Sequence, residues 1–263
     1  MGVLRYLALA CLWTLLGPTQ AAWADTPKAA RHPAYLSIII DDLGQNLPRD
    51  RRAMNLPGPI TLAVMPDTPH AGEFAREAHK AGKTVIVHMP MDPAGGPFAW
   101  RPDLSMDQLK SRLDAAFAAV PFNAGLNNHE GSRMTAQPEA MAMLMEQLQL
   151  RGKFFVDSRT SAQTVAAAKA QAIGLASVSR DVFLDDVRTP EAIATQLDTA
   201  IRLAKTQGSA VVIGHPYPVT LDLLEKRLPQ LKAEGITWIP IRQMIAERSN
   251  RAMKGHGKNG VYR

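Results

Sequence analysis

Cysteine is nearly absent from the sequence: Cys11 is the single thiol in 263 residues. It lies in an N-terminal stretch with the pattern of a secretion signal, in which Arg5 precedes a short apolar run and small residues stand on both sides of Trp23. We therefore expect residues 1–24 to be a signal peptide, cleaved after Ala24, and the mature protein to be periplasmic or secreted. The mature chain would then have no thiol, which excludes cysteine nucleophiles, cysteine zinc sites and disulfides.

The mature chain also lacks a long apolar run and a basic folded region. No segment after residue 24 is apolar for long enough to cross a bilayer, so we expect no transmembrane segment. The formal net charge is +6, but residues 247–263 carry five Lys or Arg against one Glu. We expect this stretch to be a basic, disordered tail, residues 25–33 to be a linker, and residues 34–246 to form one domain. Because nucleic-acid binding requires basic residues clustered on a folded face, we expect no nucleic-acid partner.

Short β-rich runs alternate with segments of helical spacing from residue 34 onward. Several helical segments end at a glycine, the usual residue just past a helix C-terminus. The strands are continuously apolar, as in a parallel sheet that is buried on both faces. This alternation predicts an α/β protein with a barrel, or barrel-like closed sheet, of seven to eight parallel strands. The predicted strands are AYLSIII, PITLAVMP, KTVIVHMP, NAGLNNHEG, GKFFVDSR, LASVSRDVFLD, GSAVVIGHP and GITWIPI.

Polar and titratable residues follow these predicted strands at the point where each strand ends. In a parallel sheet the carboxyl ends of all strands lie at one rim, which is where active sites form. We therefore expect residues that are far apart in the sequence to meet in one cleft. In chain order they are Asp41, Asp42, His88, Asn127, Asn128, His129, Asp157, Ser158, Asp185, Asp186 and His215.

The pair Asp41 and Asp42 requires a positive partner. Two adjacent carboxylates at the end of an apolar strand repel each other and lose hydration. With histidines at the same rim, the expected partner is a divalent metal ion, zinc being the first candidate, which carboxylate and imidazole bind with one position open for water. Because adjacent residues at a strand end point in different directions, one aspartate can bind the metal while the other accepts a proton from water.

Six motifs in order then resemble those of a known family: IIIDDLG, VIVHMPMDP, GLNNHEGS, FFVDSRT, DVFLDD and VVIGHPYP. They are similar to the successive motifs of the divergent polysaccharide deacetylases, an outlying branch of the NodB-homology carbohydrate deacetylases, over about residues 34 to 243. The resemblance implies a deformed (β/α) barrel and a metal-dependent hydrolase acting on carbohydrate. The substrate that we expect is an N-acetylated or otherwise acylated polysaccharide of the cell envelope.

The resemblance also implies roles for individual residues. Asp41 matches the catalytic base and Asp42 the metal-binding aspartate. His88 resembles the first histidine of the metal site, and His215 resembles the general acid that protonates the departing amine. Asp157 resembles the carboxylate that orients this acid, although its sequence context is also typical of a helix N-cap.

Two positions depart from the family pattern. The classical second metal histidine stands four residues after the first, where this chain has Asp92. His129, at the end of the next strand, is the natural substitute, so the third metal ligand is either His129 or Asp92. The classical site also has an arginine beside the base, and Arg133 is the nearest candidate. Asp185 and Asp186 are expected to be supporting or loop residues.

Two further functions stay open at this point. One is a non-catalytic periplasmic carbohydrate-binding or regulatory protein that retains the deacetylase fold, which the missing classical histidine favours. The other is a glycosidase, which is less favoured because its two carboxylates would stand roughly 5 to 10 Å apart across a sugar, and neighbouring aspartates do not suit that spacing. For any carbohydrate function, Trp100 and Tyr217 are the candidates for stacking on a sugar ring.

Overall fold

A computed structural model describes the backbone of residues 33–258 and the side chains up to residue 252. The predicted signal peptide, nearly all of the predicted linker, and residues 259–263 lie outside the described residues. None of the helices in the described part of the chain is both long and apolar enough to cross a membrane.

Strands and helices alternate along the described chain, as predicted for an α/β protein. The strands are β1 (Ala34–Leu43), β2 (Thr61–Val64), β3 (Thr84–Met91), β4 (Gly125–Glu130), β5 (Phe154–Asp157), β6 (Ser177–Ser179), β7 (Val182–Phe183), β8 (Ser209–Gly214) and β9 (Ile236–Trp238). The helices are α1 (Leu47–Met54), α2 (Ala71–Lys80), α3 (Met106–Ala119), α4 (Pro138–Leu150), α5 (Ala166–Ala172), α6 (Pro190–Gln207), α7 (Pro218–Arg227) and α8 (Ile241–Lys258).

The strands form one parallel sheet in the order β6-β5-β4-β3-β2-β1-β8-β7, and β9 pairs with the start of β1. Strands β6 and β7 are the two ends of this order, yet only Arg180 and Asp181 separate them in the chain. The Arg180 N–H donates to Asp157 O on β5 at 2.9 Å, and the Asp181 N–H donates to Val211 O on β8 at 2.9 Å. The sheet must therefore curl until its edges come close, which confirms the predicted deformed barrel. The predicted strand LASVSRDVFLD is divided because the chain crosses from one edge to the other within it.

Each face of the sheet is buried against a different apolar cluster. Side chains alternate between the two faces of a strand, so Ile38 and Ile40 pack with the surrounding helices, whereas Ile39 belongs to a second cluster on the opposite, inner face. That inner cluster also takes Ile86 from β3 and Ile213 from β8, together with apolar residues of α8. Burial on both faces explains why the strands read as continuous apolar runs.

Helix α8 corrects the predicted boundary between domain and tail. It runs from Ile241 to Lys258, so the prediction of a disordered tail from residue 247 is wrong for residues 247–258. Basic residues of this stretch form hydrogen bonds with the rest of the domain. Arg248 Nε donates to Ser209 Oγ at 3.1 Å, and Arg251 Nη1 donates to Gln207 O at 3.2 Å.

Candidate functional site

The residues at the rim continue the inner face of the sheet. Counting two residues onward from the inner positions Ile39, Ile86 and Ile213 gives Asp41, His88 and His215. Likewise His88 lies beside Asn127 in the register of β3 and β4. The strand period therefore points these polar side chains into one cleft above the inner apolar cluster.

Asp42 would point to the opposite face if β1 ended regularly. The register of β1 and β2 shifts between Ile40 and Leu43, and Asp42 has a left-handed backbone with φ of 57°. Aspartate tolerates this conformation better than most residues, and such irregularities re-aim side chains at functional sites. Both carboxylates of the pair consequently reach the same cleft. The buried Asp50 carboxylate fixes the following loop, since its Oδ2 accepts from the N–H groups of Gly44 at 2.9 Å and Asn46 at 3.0 Å.

Asp42, His88 and His129 present three ligand atoms to one another. Asp42 Oδ1 lies 3.3 Å from His88 Nε2 and 3.2 Å from His129 Nδ1, and the two ring nitrogens are 3.1 Å apart. Ligands bound at 2.0–2.1 Å around a tetrahedral zinc would stand about 3.3 Å from one another. Asp42 Oδ1 is buried and, among the described residues, accepts no hydrogen bond of good geometry, which is the state of an oxygen that a cation would satisfy. These residues therefore fit a divalent metal.

Asp92, the alternative third ligand, is engaged elsewhere. Its Oδ2 lies 2.6 Å from Arg133 Nε, and its Oδ1 accepts from Arg133 Nη2 at 2.9 Å. The geometry thus favours His129 over Asp92 as the candidate third ligand. It also corrects the prediction for Arg133, because this mostly exposed arginine pairs with Asp92 and makes no contact with Asp41 in the described part of the chain.

The pKa values of Asp42 and His88 are shifted in opposite directions. Burial raises the pKa of Asp42, but the close approach of His129 and His88 outweighs it and holds that pKa well below its usual value. Burial lowers the pKa of His88, but the charges of Asp41 and Asp42 raise it to about 9. Since a metal and a proton compete for the same Nε2 lone pair, metal binding to this ring must release a proton.

Asn127 connects the metal ligand to the predicted base. Its Nδ2 donates to both carboxylate oxygens of Asp41, at 2.9 and 3.1 Å, and its Oδ1 lies 2.8 Å from His88 Nδ1. His88 must therefore donate from Nδ1, which leaves Nε2 free to face Asp42. Asn127 was expected at the rim without a role, and its position beside His88 in the sheet register is what gives it one.

Asp41 is enclosed in the position that a catalytic base requires. Its side chain is buried, and its Oδ2 lies 3.5 Å from His88 Nε2. Burial raises the pKa of Asp41, while the charges of His88 and His215 and the bond from Asn127 act to lower it. The net rise brings the carboxyl closer to the range in which it can accept a proton and release it again.

His215 faces the triad from the other side of the cleft, and Asp185 orients it. Asp185 Oδ1 lies 2.9 Å from His215 Nδ1, and Asp185 Oδ2 accepts from the His215 N–H at 2.7 Å and from Thr220 Oγ1 at 2.8 Å. His215 Nε2 is directed toward Asp42, 3.8 Å from Oδ2. Burial lowers the pKa of His215, but the bond to Asp185 and the charge of Asp41 raise it above its usual value.

The orienting role predicted for Asp157 is therefore wrong. Val156 belongs to the inner cluster, so Asp157 points to the opposite face of β5. There it accepts from the Arg159 N–H at 2.8 Å and from Thr164 Oγ1 at 3.0 Å. Phe183 packs against the inner cluster, and the same period of two carries Asp185 to the cleft. In the sequence, the pair Asp185 and Asp186 at the end of the predicted sixth strand repeats the pattern of Asp41 and Asp42, and this repeat is the signal for a residue of the cleft.

Arg180 and the two aromatic candidates complete the surroundings. Burial and the charge of Arg159 lower the pKa of Arg180, while the charges of Asp157 and Asp41 act to raise it. The Arg180 guanidinium donates to the backbone carbonyls of Ser158 and Arg159. Trp100 is fully buried and is no stacking platform. Tyr217 is half-buried beside His215, with ring centroids 5.4 Å apart, so it remains a candidate.

A curled parallel barrel with its polar cleft at the carboxyl rim is the NodB-like carbohydrate deacetylase fold. The chain belongs to the divergent polysaccharide deacetylase family, whose model matches residues 38–245. It is 36% identical over 245 residues to YibQ of Escherichia coli, an uncharacterized protein, with 92% of this chain and 73% of that protein covered.

Two solved structures are similar in fold. Uncharacterized protein ATU2773 from Agrobacterium tumefaciens has a TM-score of 0.77 at 22% identity, over 83% of this chain and 92% of that chain. The catalytic domain of a peptidoglycan N-acetylglucosamine deacetylase from Eubacterium rectale has a TM-score of 0.50 at 16% identity, over 84% of this chain and 93% of that chain. At these identities the likeness concerns the fold.

Proposed function

We propose that the protein is an exported, metal-dependent hydrolase that removes acetyl or other acyl groups from a polysaccharide of the cell envelope. The observation that carries the proposal is the convergence of Asp42, His88 and His129, with ligand atoms 3.1 to 3.3 Å apart, between Asp41 and His215. Membership of the deacetylase family supports the reaction class. The name of the Eubacterium rectale neighbour supports an N-acetylated glycan as substrate, and the secretion signal predicted in residues 1–24 supports export.

The side chains divide the reaction among them. When bound by Asp42, His88 and His129, a divalent metal, zinc being the expected ion, would polarise the acyl carbonyl and lower the pKa of water. Asp41, held by Asn127, accepts the proton of the attacking water. His215 donates a proton from Nε2 to the departing nitrogen as the carbon–nitrogen bond breaks, and Asp185 fixes the other ring nitrogen. The products are acetate and the free amine of the sugar.

The proposal is tested by separating metal binding from catalysis. Asp42→Ala removes a ligand and is expected to lose bound metal together with activity. Asp41→Asn is expected to retain metal and lose acetate release from chitooligosaccharides and peptidoglycan. Asp92→Asn is the matched control, since Asp92 lies near the rim and is paired with Arg133, and it is expected to retain metal.

The outcomes separate the hydrolase from its alternatives. Full wild-type activity in both Asp42→Ala and Asp41→Asn would contradict the assignment. A second candidate is a carbohydrate-binding protein without catalysis, which the aspartate at position 92 favours, since classical members have a histidine there. Bound metal without acetate release from any glycan would support that candidate.

A further inference from the structure

A groove leads away from His215 along the gap where the chain crosses between the sheet edges. Two adjoining cavities, of about 470 and 570 Å³, share Arg159, Arg180, Asp181 and Leu203 in their linings. Their walls come from the loop after β5, from β7 and from α6. The groove is therefore built from three separate parts of the chain.

The groove adjoins the candidate catalytic cleft at Phe183. Phe183 lines it, and the Phe183 ring centroid is 5.2 Å from that of His215. The Arg180 guanidinium lies over the Phe183 ring, 4.9 Å from its centroid. A polysaccharide whose reacting sugar contacts His215 can thus extend over Phe183 toward Arg159.

The loop that carries Arg159 is held rigidly. Arg159 has a left-handed backbone with φ of 49°, which is strained for an arginine and persists only where surrounding contacts enforce it. Asp157 Oδ1 accepts from the Arg159 N–H at 2.8 Å, and Arg180 Nη2 donates to Arg159 O at 2.8 Å. Asp157 and Arg180 therefore fix the N–H and the C=O of Arg159, whose exposed side chain lines the groove.

Among the described residues, Arg159 feels the charge of the buried Asp157 but makes no ion pair with it. Within the part of the chain that the structure describes, its guanidinium makes no hydrogen bond or ion pair. Asp181 is already paired with Arg248 and accepts from the Val211 N–H, and Arg180 is occupied by backbone carbonyls. Asp186 is the other acidic residue, so the lining has two arginines and two aspartates. Because Asp181 is neutralised by Arg248 from outside the lining, Arg159, Arg180 and Asp186 leave one excess positive charge in the groove.

The cavity near His129, on the other side of the rim, is different. It has a volume of about 470 Å³ and is lined by Arg133, Asp92 and Asp103 among others. Arg133 is paired with Asp92 there, and Asp103 is paired with Arg101. Because these charges cancel, this cavity has no excess positive charge, in contrast to the groove that Arg159 lines.

We propose that Arg159 binds a carboxylate or phosphate group carried by the glycan, so that the substrate is an anionic polysaccharide whose charged sugar lies in the groove beyond Phe183. The planar guanidinium fork of arginine matches either group through two parallel hydrogen bonds. This inference rests on the proposed deacetylase function, since the groove extends that site.

The test compares three tetrasaccharides that differ only in charge. They are the N-acetylglucosamine tetramer, the same tetramer oxidised to carboxylate at C6, and the same tetramer phosphorylated at C6. By calorimetry on the metal-loaded Asp41→Asn protein, which is expected to bind the tetramers without hydrolysing them, one or both anionic tetramers are expected to bind roughly tenfold tighter than the neutral one, an advantage that shrinks at high salt. Whichever anionic tetramer gains affinity identifies the group.

Three variants connect the preference to Arg159. Arg159→Gln is expected to bring the affinity ratio of anionic to neutral tetramer close to one, and Arg159→Lys to retain part of it, since lysine keeps the charge without the fork. Arg76→Gln is the matched control, because Arg76 is also exposed and makes no ion pair within the described chain, but lies on α2 outside the groove. It is expected to keep the full preference.

Equal affinities for all three tetramers in the Asp41→Asn protein with Arg159 intact would overturn the proposal, as would a preference that the added Arg159→Gln change leaves in full. Acetate release from the neutral tetramer tests the proposed function separately. Release without any preference for anionic tetramers would overturn the subsite alone. A preference that depends on Arg159, without acetate release from any tetramer, would support the subsite and overturn the hydrolase.

Discussion

Asn127 joins Asp41, the proposed base, to His88, a candidate metal ligand. Asn127→Ala removes the bonds to Asp41 and His88 and leaves both buried groups unsatisfied. We expect kcat on chitooligosaccharides to fall about ten- to a hundredfold. Asn128→Ala is the control, since Asn128 is also buried and loses two hydrogen bonds, to Ser158 N and Glu130 O, that lie outside this connection. Equal losses of kcat in the two variants would contradict the role of Asn127.

Asp185 controls the proton affinity of His215. The hydrogen bond that Asp185 Oδ1 accepts from His215 Nδ1 raises the pKa of His215, so Asp185→Asn is expected to lower that pKa. A general acid must be protonated to act, and the alkaline limb of the profile of kcat/KM against pH is therefore expected to move to lower pH. Asp157→Asn, at the carboxylate that the sequence resemblance suggested, is expected to leave that limb in place. The opposite pattern in the two variants would contradict the assignment.

At the scale of single elements, the strand period explains which predictions hold. Each predicted apolar run contains a strand of the structure, although LASVSRDVFLD is divided between β6 and β7. Counting in steps of two from the inner cluster places Asp185 in the cleft and Asp157 outside it. That count requires knowing which face is inner, and continuously apolar strands do not reveal it. Asp42 does not follow the period of two, because the irregular end of β1 directs its side chain to the inner face.

Helix α8 packs against the inner face of the sheet and is part of the domain, although the basic residues in its second half predict a solvated tail. Arg248 bonds Ser209 on β8 and the backbone of Ser179 on β6, and pairs with Asp181 between β6 and β7. We expect Arg248→Ala to lower the free energy of unfolding by roughly 1 to 3 kcal/mol in urea titration. Arg202→Ala, which removes an exposed arginine with one long bond to Thr199, is expected to change it little. A stability of Arg248→Ala equal to that of Arg202→Ala would contradict this account.

At the scale of the whole molecule, closure of the sheet decides what the sequence leaves open. One predicted strand pairs with β5 through its first half and with β8 through its second half. This partition, which builds the groove, depends on contacts between distant strands. Local patterning carries no record of such contacts, so the sequence does not reveal that Arg133 lies apart from Asp41 and pairs with Asp92.

The account also predicts that metal binding stabilises the whole domain. Zinc at about 100 times its Kd is expected to raise Tm by roughly 5 to 10 °C, and a chelator to reverse the shift. Because His88 has a pKa of about 9 without metal, protons compete more strongly as the pH falls, and the shift is expected to be smaller at acidic than at alkaline pH. Asp42→Ala is expected to show no shift. A shift in that variant as large as in wild type, or one that grows toward acidic pH, would contradict the site.

The central claim is that Asp42, His88 and His129 hold one cation. Anomalous diffraction at the zinc edge, from crystals of the zinc-loaded protein, tests it most directly. We predict a single strong peak in the cleft, about 2 Å from Asp42 Oδ1, His88 Nε2 and His129 Nδ1. A cleft without a peak, or a zinc bound through Asp92 in place of His129, would contradict it.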